Sequence, residues 1–253
     1  MIDIHSHILS GLDDGAREFE VSIEMANLAA SSGTTDIVAS PHANDRFRFD
    51  PSVVKRKIRE LQDTVGDAIR IHYGCDFHLT AENVEEAVAD PGKYSIDHNG
   101  YLLVEFSDFL VPPAMARIFD RMLSAGLRPI VTHPERNPLL RKRVSDLESW
   151  VQRGCLMQVT AQSLTGRFGN AAKSTGDELM RRGLVHFLAS DGHDCVHRPP
   201  VLQEAWDYTA KRYGEERARL LMEDGPRAVL TGADVPYPEI EIKKKSWLSF
   251  FRS

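Results

Sequence analysis

The chain has 253 residues, 42% of them hydrophobic and 27% charged, with a formal charge of -6. That composition excludes disordered and fibrous classes, and the acidic balance argues against a general nucleic-acid surface, which needs an excess of Lys and Arg to meet phosphates. Three cysteines give no disulfide framework. With no run of about 18 apolar residues and no basic-then-apolar leader, the expectation is a soluble cytoplasmic protein.

Seven short apolar runs rich in strand-forming residues recur along the chain: IDIHSH, TDIVASPH, IRIHYGCD, YLLVEFS, RPIVTHP, CLMQVTA and VHFLASD. Helical segments separate them. In EFEVSIEMANLAASSG, Phe19, Ile23, Ala26 and Ala30 recur at a spacing of three to four, and Gly33 stops the helix. DPSVVKRKIRELQDTVG opens with Asp50 as a cap and Pro51 in the first turn. PPAMARIFDRMLSAG and SDLESWVQRG repeat the scheme, each ending in Gly. Alternation of this kind implies parallel strands with right-handed crossovers, and seven units favour a closed or nearly closed barrel over an open sheet. No linker divides the units. The expected organisation is one α/β domain over residues 1–232, followed by a basic and aromatic tail at 233–253.

The runs end in polar residues. His5 and His7 close the first, His42 the second, Asp76 the third, Glu105 the fourth, His133 the fifth, and Asp191 with His193 the seventh. In a parallel barrel those ends share one face, so residues far apart in sequence converge on one pocket. His5 and His7 also point the same way by the period of two. A lone histidine at a strand end is usually structural. So many imidazoles and carboxylates at successive strand ends are not explained that way, because buried charge without partners is expensive. Donors of this kind without thiolates suit manganese, iron or zinc, and their number exceeds the needs of one ion, so two or three metals are expected.

These motifs, DIHSHIL, DDG, SPH, YGCDFHLT, LVEFS, VTHPERN and ASDGHD with RPP, resemble the polymerase and histidinol phosphatase (PHP) superfamily, and within it the capsule and exopolysaccharide protein-tyrosine phosphatases. The resemblance implies a distorted seven-stranded (β/α) barrel. It also implies a division of ligands: His5, His7 and Asp191 on a first metal, Glu105 and His133 on a second, Asp14, His42 and His193 on a third, with Asp76 bridging the first two. The family more often carries Glu at the position of Asp76, and the shorter side chain reaches about 1.3 Å less far. Arg136 in HPERN and Arg198 in HRPP match as well, where planar guanidinium groups can clamp a phosphate.

The chemistry so implied is metal-assisted hydrolysis of a phosphomonoester, with manganese as the first candidate ion and coordination lowering the pKa of water from 15.7 toward about 7. A tyrosine leaving group, with a pKa of about 10, has little need of a strong general acid. Cysteine-based phosphatase chemistry needs an Arg six positions after the Cys, but Cys75, Cys155 and Cys195 are followed there by Ala81, Ala161 and Val201. The resemblance implies a substrate in the tyrosine-rich tail of a membrane-associated bacterial tyrosine kinase that controls polysaccharide synthesis. Two alternatives stay open: a phosphoesterase for histidinol phosphate or another small metabolite, and a non-catalytic metal-binding regulator.

Weaker signals remain. His78 shares the face of Asp76, His197 adjoins Arg198, and Arg46 and Arg48 follow the His42 strand. His72, His98 and His186 are expected to be structural. The tail KKKSWLSFFRS, with Trp247, Leu248, Phe250 and Phe251, could touch an anionic membrane surface, dock a partner or pack on its own domain.

Overall fold

The seven strand-forming runs become nine parallel strands in the computed structural model, which describes residues 1–236. The segment 237–253, including the aromatic tail, lies outside the described residues. The strands are β1 (Ile2–Ser6), β2 (Asp36–Ala39), β3 (His42–Ala43), β4 (Arg70–Tyr73), β5 (Asp76–His78), β6 (Tyr101–Glu105), β7 (Arg128–Thr132), β8 (Leu156–Thr160) and β9 (Phe187–Ala189). Two expected runs are each broken in two, at Ser40–Pro41 and at Gly74–Cys75. Pro41 lacks an N–H for the ladder, so the strand cannot run through it. A side chain at Gly74 would meet the Val38 side chain at 2.5 Å, so only glycine fits that break.

One sheet has the order β1-β2-β4 and the other β3-β5-β6-β7-β8-β9. The far edge returns to the start: the Asp191 N–H donates to the His5 carbonyl at 2.9 Å, and the His7 N–H donates to the Gly192 carbonyl at 2.8 Å. The expected barrel-like α/β fold is therefore present, with its wall split where the two runs break.

Apolar residues alternate between two clusters along the strands, as the period of two requires. On β6, Leu102 and Val104 belong to the larger cluster beneath the helices, whereas Tyr101 and Leu103 join a smaller one with Ile2, Ile4, Val38, Ile130 and Phe187. The next residue on the inner face of β6 is Glu105. The interior is thus apolar low down and polar at the C-terminal rim.

Ten α-helices occur among the described residues. In α1 (Phe19–Ser31) the fully buried residues are Ser22, Met25, Ala26 and Ala29. Phe19, Ile23 and Ala30 are only partly buried against the same core, so the buried face is rotated from the one expected. In α2 (Pro51–Val65) Asp50 caps as expected, accepting from the Ser52 and Val53 N–H groups at 2.9 and 3.4 Å. The remaining helices are α3 (Ala81–Ala89), α4 (Met115–Ser124), α5 (Val144–Gln152), α6 (Ala161–Thr165), α7 (Gly169–Arg181), α8 (Gln203–Tyr213), α9 (Glu215–Arg219) and α10 (Gly225–Thr231). Beyond α10 the chain stays on the barrel: the Tyr101 hydroxyl donates to the Ala233 carbonyl at 2.5 Å, and Arg128 pairs with Asp234 at 2.8 Å.

His72 on β4 lies between two carboxylates, 2.7 Å from Asp97 and 3.0 Å from Asp36, which also holds Arg70. Burial disfavours the imidazolium, but Asp97 and Asp36 outweigh it and raise the His72 pKa. A raised folded pKa contributes stability that is fully present below the unfolded value of 6.5 and fades as pH rises through the folded one. We expect His72→Gln to lower the urea midpoint at pH 6 by the equivalent of about 0.5–1 kcal/mol, a partly exposed pair being screened. At pH 9 the difference from the parent chain should shrink.

Candidate metal centre and phosphate clamp

The rim assembles from the first residues onward. The register of β1 shifts between Asp3 and Ser6, a bulge of the kind that re-aims side chains. Within it His5, and just beyond it His7, present their Nε2 atoms 3.3 Å apart. Each ring is pinned at its other nitrogen: His5 Nδ1 donates to Gln158 Oε1 at 2.9 Å, and His7 Nδ1 to Asp13 Oδ2 at 2.7 Å. His193 Nδ1 donates to the Asp191 carbonyl at 2.9 Å. All three imidazoles therefore turn Nε2 toward the cluster, where a bound ion would take the place of a proton, the arrangement second-shell partners impose on metal-binding histidines.

Asp13 also accepts from the His42 and Gly15 N–H groups at 3.0 and 2.9 Å. It ties the 9–15 loop to β1 and β3 and leaves Asp14 facing His42 Nε2 at 3.3 Å and His193 Nε2 at 3.5 Å. Asp76, at the start of β5, is fully buried, 3.2 Å from His42 Nδ1 and 3.5 Å from His5 Nε2. Glu105 ends β6 with its carboxylate 3.4 Å from His42, 3.3 Å from His78 and 3.7 Å from His133. His133 and Asp191 follow β7 and β9 in the left-handed region, with φ of +33° and +52°. Such backbone persists where the surroundings over-determine it.

Three groups of ligand atoms each lie within 4.8 Å of one another: His7, Asp14, His42 and His193; His5, His7 and Asp76; and His42, Asp76 and Glu105. Neither oxygen of Asp76 has a hydrogen bond of good geometry, nor does His42 Nδ1. A buried carboxylate and imidazole left in that state are costly in a protein interior, and a cation between them removes the cost. The donor set fits one or more divalent ions.

The charges follow from this crowding. Burial opposes ionisation of His5, but Asp76 and Asp191 raise its pKa to about 9. Burial also works against the Asp191 carboxylate, yet Arg198, His5 and Arg136 hold it well below the usual range. His133 is pushed down to about 4 by burial and by Arg136.

Asp191 joins the cluster to the two expected arginines. Its Oδ1 is 3.5, 3.3 and 3.5 Å from His5, His7 and His193, while its Oδ2 accepts from both Arg136 and Arg198. Every candidate residue from the sequence reaches this rim. The weaker candidates divide. His78 and Arg46 line the mouth, and Arg48 lines a neighbouring cavity. His197 is exposed beside Arg198. His72, His98 and His186 are engaged elsewhere, with two carboxylates, the Gly92 carbonyl and the Met157 N–H respectively.

Sequence reasoning missed the supporting residue Gln158 and did not assign Asp13 a role. Asp13 carried a signal in its position beside Asp14 and before Gly15. Gln158 sits within an apolar strand run, and nothing local marks it.

The cysteines stand apart. Cys75 and Cys155 are buried and Cys195 is half-buried. Burial raises the pKa of each thiol, that of Cys155 to about 12, the reverse of an activated nucleophile.

The capsular polysaccharide synthesis model CpsB/CapC matches residues 1–231. The chain belongs to the CpsB/CapC family. It is 32% identical to tyrosine-protein phosphatase YwqE of Bacillus subtilis, over 99% of this chain and 100% of that one. It is 28% identical to tyrosine-protein phosphatase CpsB of Streptococcus pneumoniae, over 91% of this chain and 98% of that one. A crystal structure from work on YwqE and CpsB, described as metal-dependent tyrosine phosphatases, superposes with a TM-score of 0.87 at 32% identity, covering 94% of this chain and 97% of that chain. Dihydropyrimidinase from Brevibacillus agri shares the fold alone, at 12% identity and a TM-score of 0.54, covering 94% of this chain and 72% of that one.

Gly15 makes the turn of the DDG loop. A Cβ there would lie 2.1 Å from the His7 carbonyl oxygen and 2.4 Å from the His7 Cβ. Gly15→Ala should cost about 1–3 kcal/mol through overpacking and so lower the thermal midpoint, read by circular dichroism.

Proposed function

We propose that this chain is a metal-dependent protein-tyrosine phosphatase acting on phosphotyrosine of a bacterial tyrosine kinase that controls capsule or exopolysaccharide synthesis. The observation that carries the reading is the buried Asp76 carboxylate without hydrogen bonds, at the meeting point of two groups of ligand atoms. Full-length similarity to tyrosine-protein phosphatases supports it further.

His5, His7 and Asp191 would hold one ion, Glu105 and His133 a second, and Asp14, His42 and His193 a third, with Asp76 between the first two; His7, its Nδ1 engaged by Asp13, has one nitrogen to offer and serves one ion. Nitrogen and oxygen donors without thiolates favour manganese, with iron or zinc as alternatives. A divalent ion, when bound, lowers the pKa of water and neutralises charge on a phosphoryl group.

The chain's own residues then orient the substrate. Arg136 and Arg198 offer planar donors to the phosphoryl oxygens, and the buried Arg198 Nε has no hydrogen-bond partner, a donor held ready for an anion. His133, largely neutral at pH 7, adds no charge to compete with that clamp. The mouth, about 670 Å³, is lined by His42, Arg46, Phe47, His78, Phe109 and Arg136 among others. Phe109 is 93% exposed and Leu110 beside it 63%. An open mouth with apolar groups at its edge suits a peptide-borne aromatic better than a small polar metabolite such as histidinol phosphate.

The tyrosine-rich tail of a membrane-associated kinase is the substrate we favour, with the phosphatase working in the cytoplasm. No helix among the described residues is long and apolar enough to cross a membrane. Domain 1–232 carries the chemistry, and segment 233–253 is the candidate for contact with a membrane or partner.

The deciding experiment compares a phosphotyrosine peptide with histidinol phosphate, with and without manganese and chelator. Turnover of the peptide that disappears on chelation and returns with manganese is expected. Activity that survives chelation but is lost on thiol alkylation overturns the reading, and binding of the peptide without turnover would favour a regulator. Asp13→Ala, which removes the anchor of His7, should cost about 10–100-fold in metal affinity or activity, measured by manganese titration.

A further inference from the structure

Two guanidinium groups converging on one carboxylate oxygen repel each other, and Asp191 alone does not fix where either points. The same short connection touches both. Between α6 and α7 the chain turns at Gly166 and Gly169, with φ of +97° and +82°, and presents Arg167 and Phe168 between them. The Phe168 ring lies under Arg136, its centroid 4.2 Å from the guanidinium carbon, and 6.0 Å from that of Arg198. Arg167 Nη1 donates to the carbonyls of Val196 and His197 at 3.1 Å each, gripping the loop immediately before Arg198.

That loop has a second brace from within. Asp194 Oδ1 accepts from the Val196, His197 and Arg198 N–H groups at 2.6, 2.5 and 3.3 Å. Gln162 Nε2, at the end of α6 nearest β8, donates to the Pro199 carbonyl at 2.7 Å. The backbone around Arg198 is therefore held from the α6–α7 side on both flanks, and an aromatic face adjoins both arginines.

We propose that Arg167 and Phe168 are positioning residues for the phosphate clamp. The ring's electron-rich face offsets the repulsion between the guanidinium groups and keeps their planes directed at a shared anion, while Arg167 sets the height of the Arg198 loop. Neither residue touches the phosphoryl group. The inference rests on the phosphatase reading for its substrate, but the clamp it describes binds any tetrahedral oxyanion.

Inorganic phosphate is therefore the probe, its affinity measured calorimetrically on the manganese-loaded full chain beside KM and kcat for a phosphotyrosine peptide. Phe168→Leu keeps the apolar volume and removes the aromatic face. It should weaken phosphate binding and raise KM about fivefold, at an unchanged thermal midpoint. Phe168→Tyr should recover most of that loss, which a role in packing alone does not predict. Arg167→Gln, at an exposed position and so safe for folding, should weaken phosphate about two- to threefold. Phosphate affinity equal to the parent's in both Phe168→Leu and Arg167→Gln, or equal impairment of Phe168→Leu and Phe168→Tyr, overturns the inference. A parent chain that binds phosphate in a Phe168-dependent way but leaves phosphotyrosine intact removes the phosphatase reading and keeps the brace.

Discussion

Asp191 is the residue on which the rim turns, because its two oxygens serve two different charge systems. One faces three imidazoles and the other takes two guanidinium groups, while its backbone N–H closes the barrel against β1. A buried carboxylate is tolerated only when its partners compensate for lost hydration. Here the compensation comes from five residues on the ends of β1 and on the loops after β7 and β9. The left-handed backbone at Asp191 is the geometric consequence, since the chain must turn sharply to aim the side chain inward straight after the strand.

Below the rim, the fold's task is to bring strand ends into register. Glu105 reaches the cluster because it is the third inner-facing position on β6, above Tyr101 and Leu103, and Gln158 reaches His5 from the inner face of β8. The split walls serve the same end. Breaking one run at Pro41 and the other at Gly74 re-aims the last residues of both, so that His42 and Asp76 become paired neighbours on β3 and β5.

The class of fold and the first layer of the site were legible because they depend on local pattern and element ends. Strand runs alternate with helices, and polar residues stop each run, so the pattern alone puts His5, His42, Asp76, Glu105, His133 and Asp191 on one face. The strand breaks were less legible, because neither Pro41 nor Gly74 interrupts the apolar pattern strongly. Of the supporting layer only Asp13, in the DDG motif, left a local mark. Gln158 and Phe168 act on residues 153 and 32 positions away in sequence, His5 and Arg136, and no local spacing encodes such contacts. The expected stripe on α1 failed by a small rotation for a related reason: period alone leaves the phase of a helix to the surface it packs against.

The position of Asp76 follows from the backbone that carries it. The sequence suggests that a carboxylate one methylene shorter than the family's usual Glu reaches the cluster less well. In the folded chain the Asp76 N–H donates to the Pro41 carbonyl at 3.1 Å, drawing the start of β5 against the broken end of β2 and β3. The short side chain then stands 3.2 Å from His42 and 3.5 Å from His5 without extending. The broken strand thus places the Asp76 backbone, through the Pro41 carbonyl, where its carboxylate meets both imidazoles.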